Sequence, residues 1–376
     1  MVHFGTSRGD ASPSAVPVRR VLLIAPYTPR GGGMGRIMAY LAGCGRQAGV
    51  QFEMIESRGG GPAVASAWYL VAAACRILLA AARDPRTIVQ LTVGERGSVV
   101  RKGGLLLLAH AVGLKTILHL HAADIIGFHA GLQRPARRAV AFVFRRADIC
   151  VVLGEPWRVW LTRELGIAPA RIAVIRNGVP QPEVAAGVTP RGVFTVVFLG
   201  NLLARKGIAD LLHAVATLSA PGLPPWQLVI AGSGADGDLK RLARDLGVAS
   251  NVRFAGWLDR AATQDLLRGA DVLALPSYHE ALPLVLLEAA SLGVPVITTP
   301  VGAIAEVFTH EHDALMVVPG DRAALADALA RLAGDPALAR RLGENGRRLY
   351  QRRFTMDAFV GGLAALYARL DGAAPC

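Results

Sequence analysis

Residues 179–192 read VPQPEVAAGVTPRG, and this stretch divides the chain. Its three prolines and two glycines suit neither helix nor strand, which marks a linker. Before it, short apolar or β-branched runs alternate with longer Ala/Leu/Arg segments of helical period. RRVLLIAPY (19–27), TIVQLT (87–92), KTILHLH (115–121), ICVVLG (149–154) and IAVIRNG (172–178) read as strands. After it the rhythm restarts with VFTVVFLG (193–200), WQLVIAGSG (226–234), NVRFAGW (251–257), ADVLALPS (270–277) and PVITTP (295–300). Strands alternating with helices predict α/β architecture with a doubly wound parallel sheet. Two such series predict two Rossmann-like domains, residues 19–180 and 193–356, joined by a linker over 181–192. The carboxyl ends of both sheets then face a shared central cleft.

Composition agrees with two cores. A chain of 376 residues exceeds one ordinary domain, and 52% hydrophobic with 18% charged residues excludes a disordered chain. Cys44, Cys75, Cys150 and Cys376 are widely spaced and form no CxxC pair, which argues against a zinc site or disulfide framework and fits a reducing compartment. The most apolar windows, 64–82 and 103–114, are interrupted by Arg76 and too short respectively, so no stretch is expected to span a membrane. Residues 1–18 are expected to be a disordered polar tail without a signal-peptide core.

The net charge of +13 is uneven. Residues 1–180 hold 23 Lys+Arg against 9 Asp+Glu, a net of +14, while residues 181–376 hold 18 against 19. An anionic partner of the first domain is expected, either lipid or nucleic acid. QRPARRAVAFVFRRAD (133–148) reads as an amphipathic helix with basic flanks, suited to anionic lipid and equally to a solvated face. Nucleic acid is disfavoured, since no basic stretch is rich in aromatics.

Several motifs sit where strands meet the cleft. In YHEALPLVLLEA (278–289), Glu280 and Glu288 bracket an otherwise apolar run, and an unpaired buried carboxylate costs several kcal/mol. Pro283 suits the first turn of a helix, leaving Glu280 in the strand-to-helix loop and the amides of Leu284 and Val285 as first-turn donors for a diphosphate. Spacing alone favours a solvated loop glutamate and a helix glutamate paired to an arginine; the neighbouring motifs turn the reading toward a site. In FLGNLLARKGIADLLHAV (198–215), Arg205 and Lys206 form a cation pair on a similar loop. Only four of the 41 basic residues are lysine, which makes Lys206 notable. Adjacent cations there could neutralise a leaving diphosphate without metal, or simply be solvated.

PYTPRGGGMGRI places Gly31, Gly32, Gly33 and Gly35 where backbone can approach a phosphate closely. GSGADG (232–237) is a literal GxGxxG, yet it follows the second strand of its domain, and Trp257 stands 20 residues past its last glycine; dinucleotide binding is disfavoured. Asp236 and Asp238 read as a solvated loop. LHLHAAD (118–124) aligns His119 and His121 without a third metal ligand, which leaves one cleft histidine and one core histidine.

These pieces in this order resemble a GT-B glycosyltransferase of family 4, the retaining, nucleotide-sugar-dependent group. The likeness covers roughly residues 19–370 and is most specific in GNLLARKG, LVIAGSG, VRFAGWL, PSYHEALPLVLLEAASLGVPVITTPVGAIAEV and GDRAALADALARL. It implies that Glu280 meets the donor sugar and Glu288, second glutamate of the E-x7-E motif, the ribose. Lys206 and an arginine would hold the diphosphate. Asn201 stands where the family usually has that arginine, with Arg205 as the substitute. It further implies His121 at the transferred sugar, Gly33 at the phosphates and Leu258 against the base. No metal or cofactor is expected. A C-terminal helix, residues 357–376, is expected to cross back onto the first domain.

RGSVVRKGGLLLLAHAVGLKTILHLHAAD resembles bacterial exopolysaccharide enzymes acting on polyprenyl-diphosphate lipids. The expected function is transfer of a hexose from GDP-mannose or a UDP-hexose to a lipid-linked or saccharide acceptor. The expected location is the cytoplasm, peripheral to the inner face of the membrane. A nucleotide-sugar hydrolase, epimerase or phosphorylase on the same fold, or a non-catalytic binding subunit, is the alternative.

Overall fold

The computed structural model describes residues 19–26, 32–44, 49–59, 65–94, 96–182, 192–218 and 222–370. The tail, most of the linker, Gly31 and residues 371–376 lie outside them.

The first half contains strands β1 (Arg19–Ala25), β2 (Val50–Glu56), β3 (Ile88–Val93), β4 (Lys115–Leu120), β5 (Ile149–Val152) and β6 (Ile172–Val174). They form one parallel sheet in the order β2-β1-β3-β4-β5-β6. The second half contains β7 (Phe194–Leu199), β8 (Trp226–Ala231), β9 (Val252–Gly256), β10 (Val272–Leu275), β11 (Val296–Thr298) and β12 (Leu315–Met316). Its sheet is also parallel, in the order β12-β11-β10-β7-β8-β9. The central strands β3, β7 and β10 are buried along their whole length. Burial on both faces explains why apolar residues dominate them, because helices cover each side of a parallel sheet.

Two doubly wound sheets are therefore present, as the alternation implied. Two strands were not anticipated. β2, VQFEMIE, carries polar residues on an edge strand, and β12 has only two residues, too few for a periodic signal.

Chain reversal in each sheet sets the cleft. Strand order switches between β1 and β3 in one sheet and between β7 and β10 in the other. At such switch points the adjoining loops diverge and leave a crevice at the carboxyl ends of the strands. The loops after β7 and β10 carry Arg205, Lys206 and Glu280.

The terminal helix Met356–Leu370 packs on the first domain, where the buried Tyr367 donates to Gln90 Oε1 on β3 at 2.7 Å and meets Phe52 edge-on. Just before it, the Val179 amide donates to the Phe354 carbonyl at 2.9 Å, and Tyr350 donates to the Val179 carbonyl at 3.1 Å. A second tie joins the domains directly. Glu306 of the second domain accepts from Arg176 at 2.7 Å and from the Glu155 amide at 2.8 Å, at the N-terminus of the helix Glu155–Arg163. A carboxylate there offsets the unsatisfied amides and the helix dipole.

The helix Ala65–Arg83 departs from expectation. Over Ser66–Arg83 its mean hydropathy is 1.3, long and apolar enough to cross a membrane by length and composition. Arg76 does not break it, because Ala73, Ile77 and Ala80 pack into the core while Arg76 points to solvent. It is a surface helix with Trp68, Val71, Leu78 and Leu79 exposed.

Candidate functional site

A cavity of about 620 Å³ lies between the domains. Such a volume lies in the range of small-molecule and cofactor sites. The first domain contributes Gly32, Gly33, Gly94 and His121, and the second Asn201, Lys206, Trp257 and Glu280.

Glu280 stands in the loop between β10 and the helix Leu284–Leu292, buried, with an ion pair to the Lys206 ammonium. Ser277 Oγ donates to the same Oε1 at 2.8 Å. The two contacts offset the cost of burying the carboxylate and fix its direction. Pro283 is the cap residue, one position earlier than expected, and Leu284 and Val285 open the helix with their first-turn amides at the cavity. Arg205 also lines the cavity, but its Nη1 donates to the His279 carbonyl at 2.7 Å, so one face of its guanidinium is committed to holding the Glu280 loop. Leu258 lines the cavity beside the exposed Trp257.

Gly33 lines the cavity, and a Cβ built on it would meet nothing within 4 Å. The strained position is its neighbour. Gly32 has φ +63, and a Cβ there would come within 3.3 Å of Asn201 Nδ2 across the cleft. The first two GxGxxG glycines have a packing role, whereas a Cβ on Gly237 would meet nothing within 4 Å. A Cβ on Gly232 would sit 1.7 Å from the Gly200 carbonyl, and one on Gly234 2.8 Å from Leu202 Cβ, so the loops after β7 and β8 touch through backbone.

Of the two histidines, His119 lies in the core and His121 at the cleft. His119 is buried and accepts at Nδ1 from the Gln90 amide at 3.2 Å. His121 lines the cavity with Nε2 unpartnered, and its ring centroid lies 4.2 Å from that of His119. Burial, reinforced by the nearby Lys102 charge, pushes the His121 pKa down to about 3, so it presents a neutral imidazole. Lys102, which sequence reasoning passed over, is 2% exposed, and burial lowers its pKa to about 7.

Glu288 is brought to the cleft but not into the cavity. Arg36 Nη1 contacts its Oε2 at 2.8 Å and the Tyr40 hydroxyl donates to its Oε1 at 2.6 Å. Both partners belong to the helix Gly32–Gly43 of the first domain. Arg36 and Tyr40 stand four residues apart on that helix, hence on one face; that spacing after a glycine turn was the available signal.

The comparisons decide the family. Residues 31–181 match the model described as Glycosyltransferase Family 4, and residues 184–349 the model described as Glycosyl transferases group 1. The chain is a family 4 glycosyltransferase with the GT-B fold. The glycosyltransferase is 36% identical over 201 residues to the lipopolysaccharide core biosynthesis glycosyltransferase LpsD of Rhizobium meliloti, covering 53% of this chain and 57% of that one. It is also 36% identical over 229 residues to an exopolysaccharide phosphotransferase of Streptomyces coelicolor, covering 59% of this chain but 23% of that one. The chain thus spans between 23% and 65% of the length of the curated relatives it matches. Among solved structures, Anabaena HepE in complex with UDP-glucose superposes with a TM-score of 0.72 at 16% identity, covering 93% of this chain and 99% of that one. That likeness speaks to the fold.

Proposed function

We propose that the glycosyltransferase moves a hexose, with retention of configuration, from a nucleotide sugar to a lipid-linked or saccharide acceptor in the synthesis of an exopolysaccharide or cell-surface glycan. The observation that carries this is the Lys206–Glu280 pair at the cavity, facing His121 across the cleft. A carboxylate already fixed by Ser277 and Lys206 is suited to accept from sugar hydroxyls. The ammonium is placed for the departing phosphate, and Arg205 with the Leu284 and Val285 amides adds positive potential. These charges can neutralise the leaving diphosphate without a metal. Neutral His121 can donate from one ring nitrogen to a sugar hydroxyl or phosphate. Among the described residues no group at the cavity is a strong base, so the donor's own phosphate accepts the acceptor proton. HepE was solved with UDP-glucose, which supports a nucleotide-sugar donor.

The acceptor side of the reading concerns lipid. The helices Ala65–Arg83, Gly97–Ala111 and Arg134–Arg146 pack side by side. They expose Trp68, Val71, Leu78, Leu79, Val100 and Phe142 among Arg134, Arg137, Arg138, Arg145 and Arg146. Apolar groups amid arginines suit the interface of an anionic bilayer. Attachment there, at the inner face of the cell membrane, would bring a lipid-linked acceptor to the cleft.

The test is release of nucleoside diphosphate from UDP- and GDP-hexoses with and without a membrane-lipid extract. Release that requires the extract, with sugar recovered in the lipid phase, is expected. Release of equal rate without extract would make the protein a hydrolase.

A further inference from the structure

We infer that Arg36 and Tyr40 form a latch that competes with the nucleoside of the donor for Glu288; this rests on the nucleotide-sugar reading above. Glu288 is buried, and each of its oxygens is engaged by the first domain, Oε2 by Arg36 and Oε1 by Tyr40. A ribose diol donates up to two hydrogen bonds, and the Arg36 guanidinium and the Tyr40 hydroxyl each stand against one carboxylate oxygen on the side from which the first domain approaches. The wall is physical as well as electronic. Arg36 and Tyr40 line the large cavity, whereas Glu288 lines a separate small recess behind them.

The latch is supported from the second domain. Arg36 Nη2 reaches Thr263 Oγ1 at 3.4 Å, and the Arg260 guanidinium lies 5.4 Å from the centre of the Tyr40 ring. Arg36 and Glu288 are 24% and 10% exposed at their side chains, so water screens the pair only partly. The helix bearing Arg36 and Tyr40 starts at Gly32, whose left-handed backbone abuts Asn201. The same turn that faces the phosphates therefore carries the latch, and withdrawing the helix opens the ribose subsite.

A chain held in a binding-incompetent state has its affinity reduced by the competent fraction. Releasing the latch then tightens nucleotide binding, the opposite of what loss of a ligand contact or damage to the fold would do. Titration calorimetry of UDP and GDP into the full chain tests this with Arg36→Met and Tyr40→Phe. Arg36→Met is expected to bind the preferred nucleotide about tenfold more tightly, the gain for a competent fraction of roughly a tenth. Tyr40→Phe, which keeps the ring, is expected to give a smaller gain of the same sign, and it decides the matter should Arg36→Met fail to fold. Unchanged or weaker binding in the variants overturns the latch alone. Failure of wild type and variants alike to bind either nucleotide, with folding intact, overturns the latch and the nucleotide-sugar reading together.

Discussion

The Tyr367 hydroxyl donates to Gln90 Oε1 at 2.7 Å, joining the last helix to the middle of the first sheet across 277 residues of sequence. Both groups are buried, and the Gln90 amide in turn faces His119. Tyr367→Phe would leave the Gln90 carbonyl without its donor. A stability loss of about 1–3 kcal/mol is expected, the cost of an unsatisfied buried acceptor. Urea unfolding followed by fluorescence checks this, and a change below roughly 0.5 kcal/mol would argue against the tie.

Two glycines separate structural from ligand-binding demands. Gly232→Ala forces a Cβ onto the Gly200 carbonyl, 1.7 Å away, and is expected to abolish soluble expression or lower the melting temperature sharply. Gly33→Ala meets open space. It should leave the melting temperature unchanged yet raise KM for the donor, because the methyl would enter the cavity where we propose that the donor phosphates lie. Unchanged KM would remove Gly33 from the site.

Acid should destabilise the first domain. The folded His121 pKa, about 3, lies below the ordinary value of 6.5. Between these values the unfolded chain binds a proton that the folded chain refuses, so stability falls as pH drops below about 6.5 and levels off near 3. Lys102, lowered from 10.5 to about 7, acts with the same sign over the alkaline window, where stability falls as pH drops from about 10.5 to 7. The His121 slope approaches about 1.4 kcal/mol per pH unit. Unfolding curves at pH 5 and 7 are expected to show it, and His121→Gln to reduce it. Lys102→Met should stabilise the protein at pH 7.

The Glu306 contact is one of the ties that hold the domains together. Gly154 has extended backbone, but a Cβ on it would lie 2.7 Å from Ala303 Cβ and 2.9 Å from Glu306 Oε1. Gly154→Ala and Glu306→Ala are both expected to widen the cleft. Small-angle scattering should record a larger radius of gyration with unchanged circular dichroism.

Much of this architecture is legible in the chain because a fully buried parallel strand cannot hide its composition. The alternation around VPQPEVAAGVTPRG was enough for two sheets, whereas β2 and β12 at sheet edges lack that signature. Within the site, Lys206, Glu280, Leu284 and Val285 could be grouped because consecutive loops of one sheet share an end. Arg36 and Tyr40 could not be matched to Glu288, about 250 residues away, since that contact depends on how two domains sit together. The burial of Lys102 beside His121 was equally invisible, for helical period alone does not say which charged residue turns inward.

Under the proposed function, Lys206 and Glu280 hold the donor. Calorimetric titration of UDP- and GDP-hexoses into wild type and Lys206→Met, each first shown to unfold cooperatively, tests it most directly. Wild type is expected to bind one donor class, and Lys206→Met to lose at least about a hundredfold in affinity, roughly 2.7 kcal/mol for a charge-assisted phosphate contact. Binding by Lys206→Met within about twofold of wild type, under 0.5 kcal/mol, would contradict it.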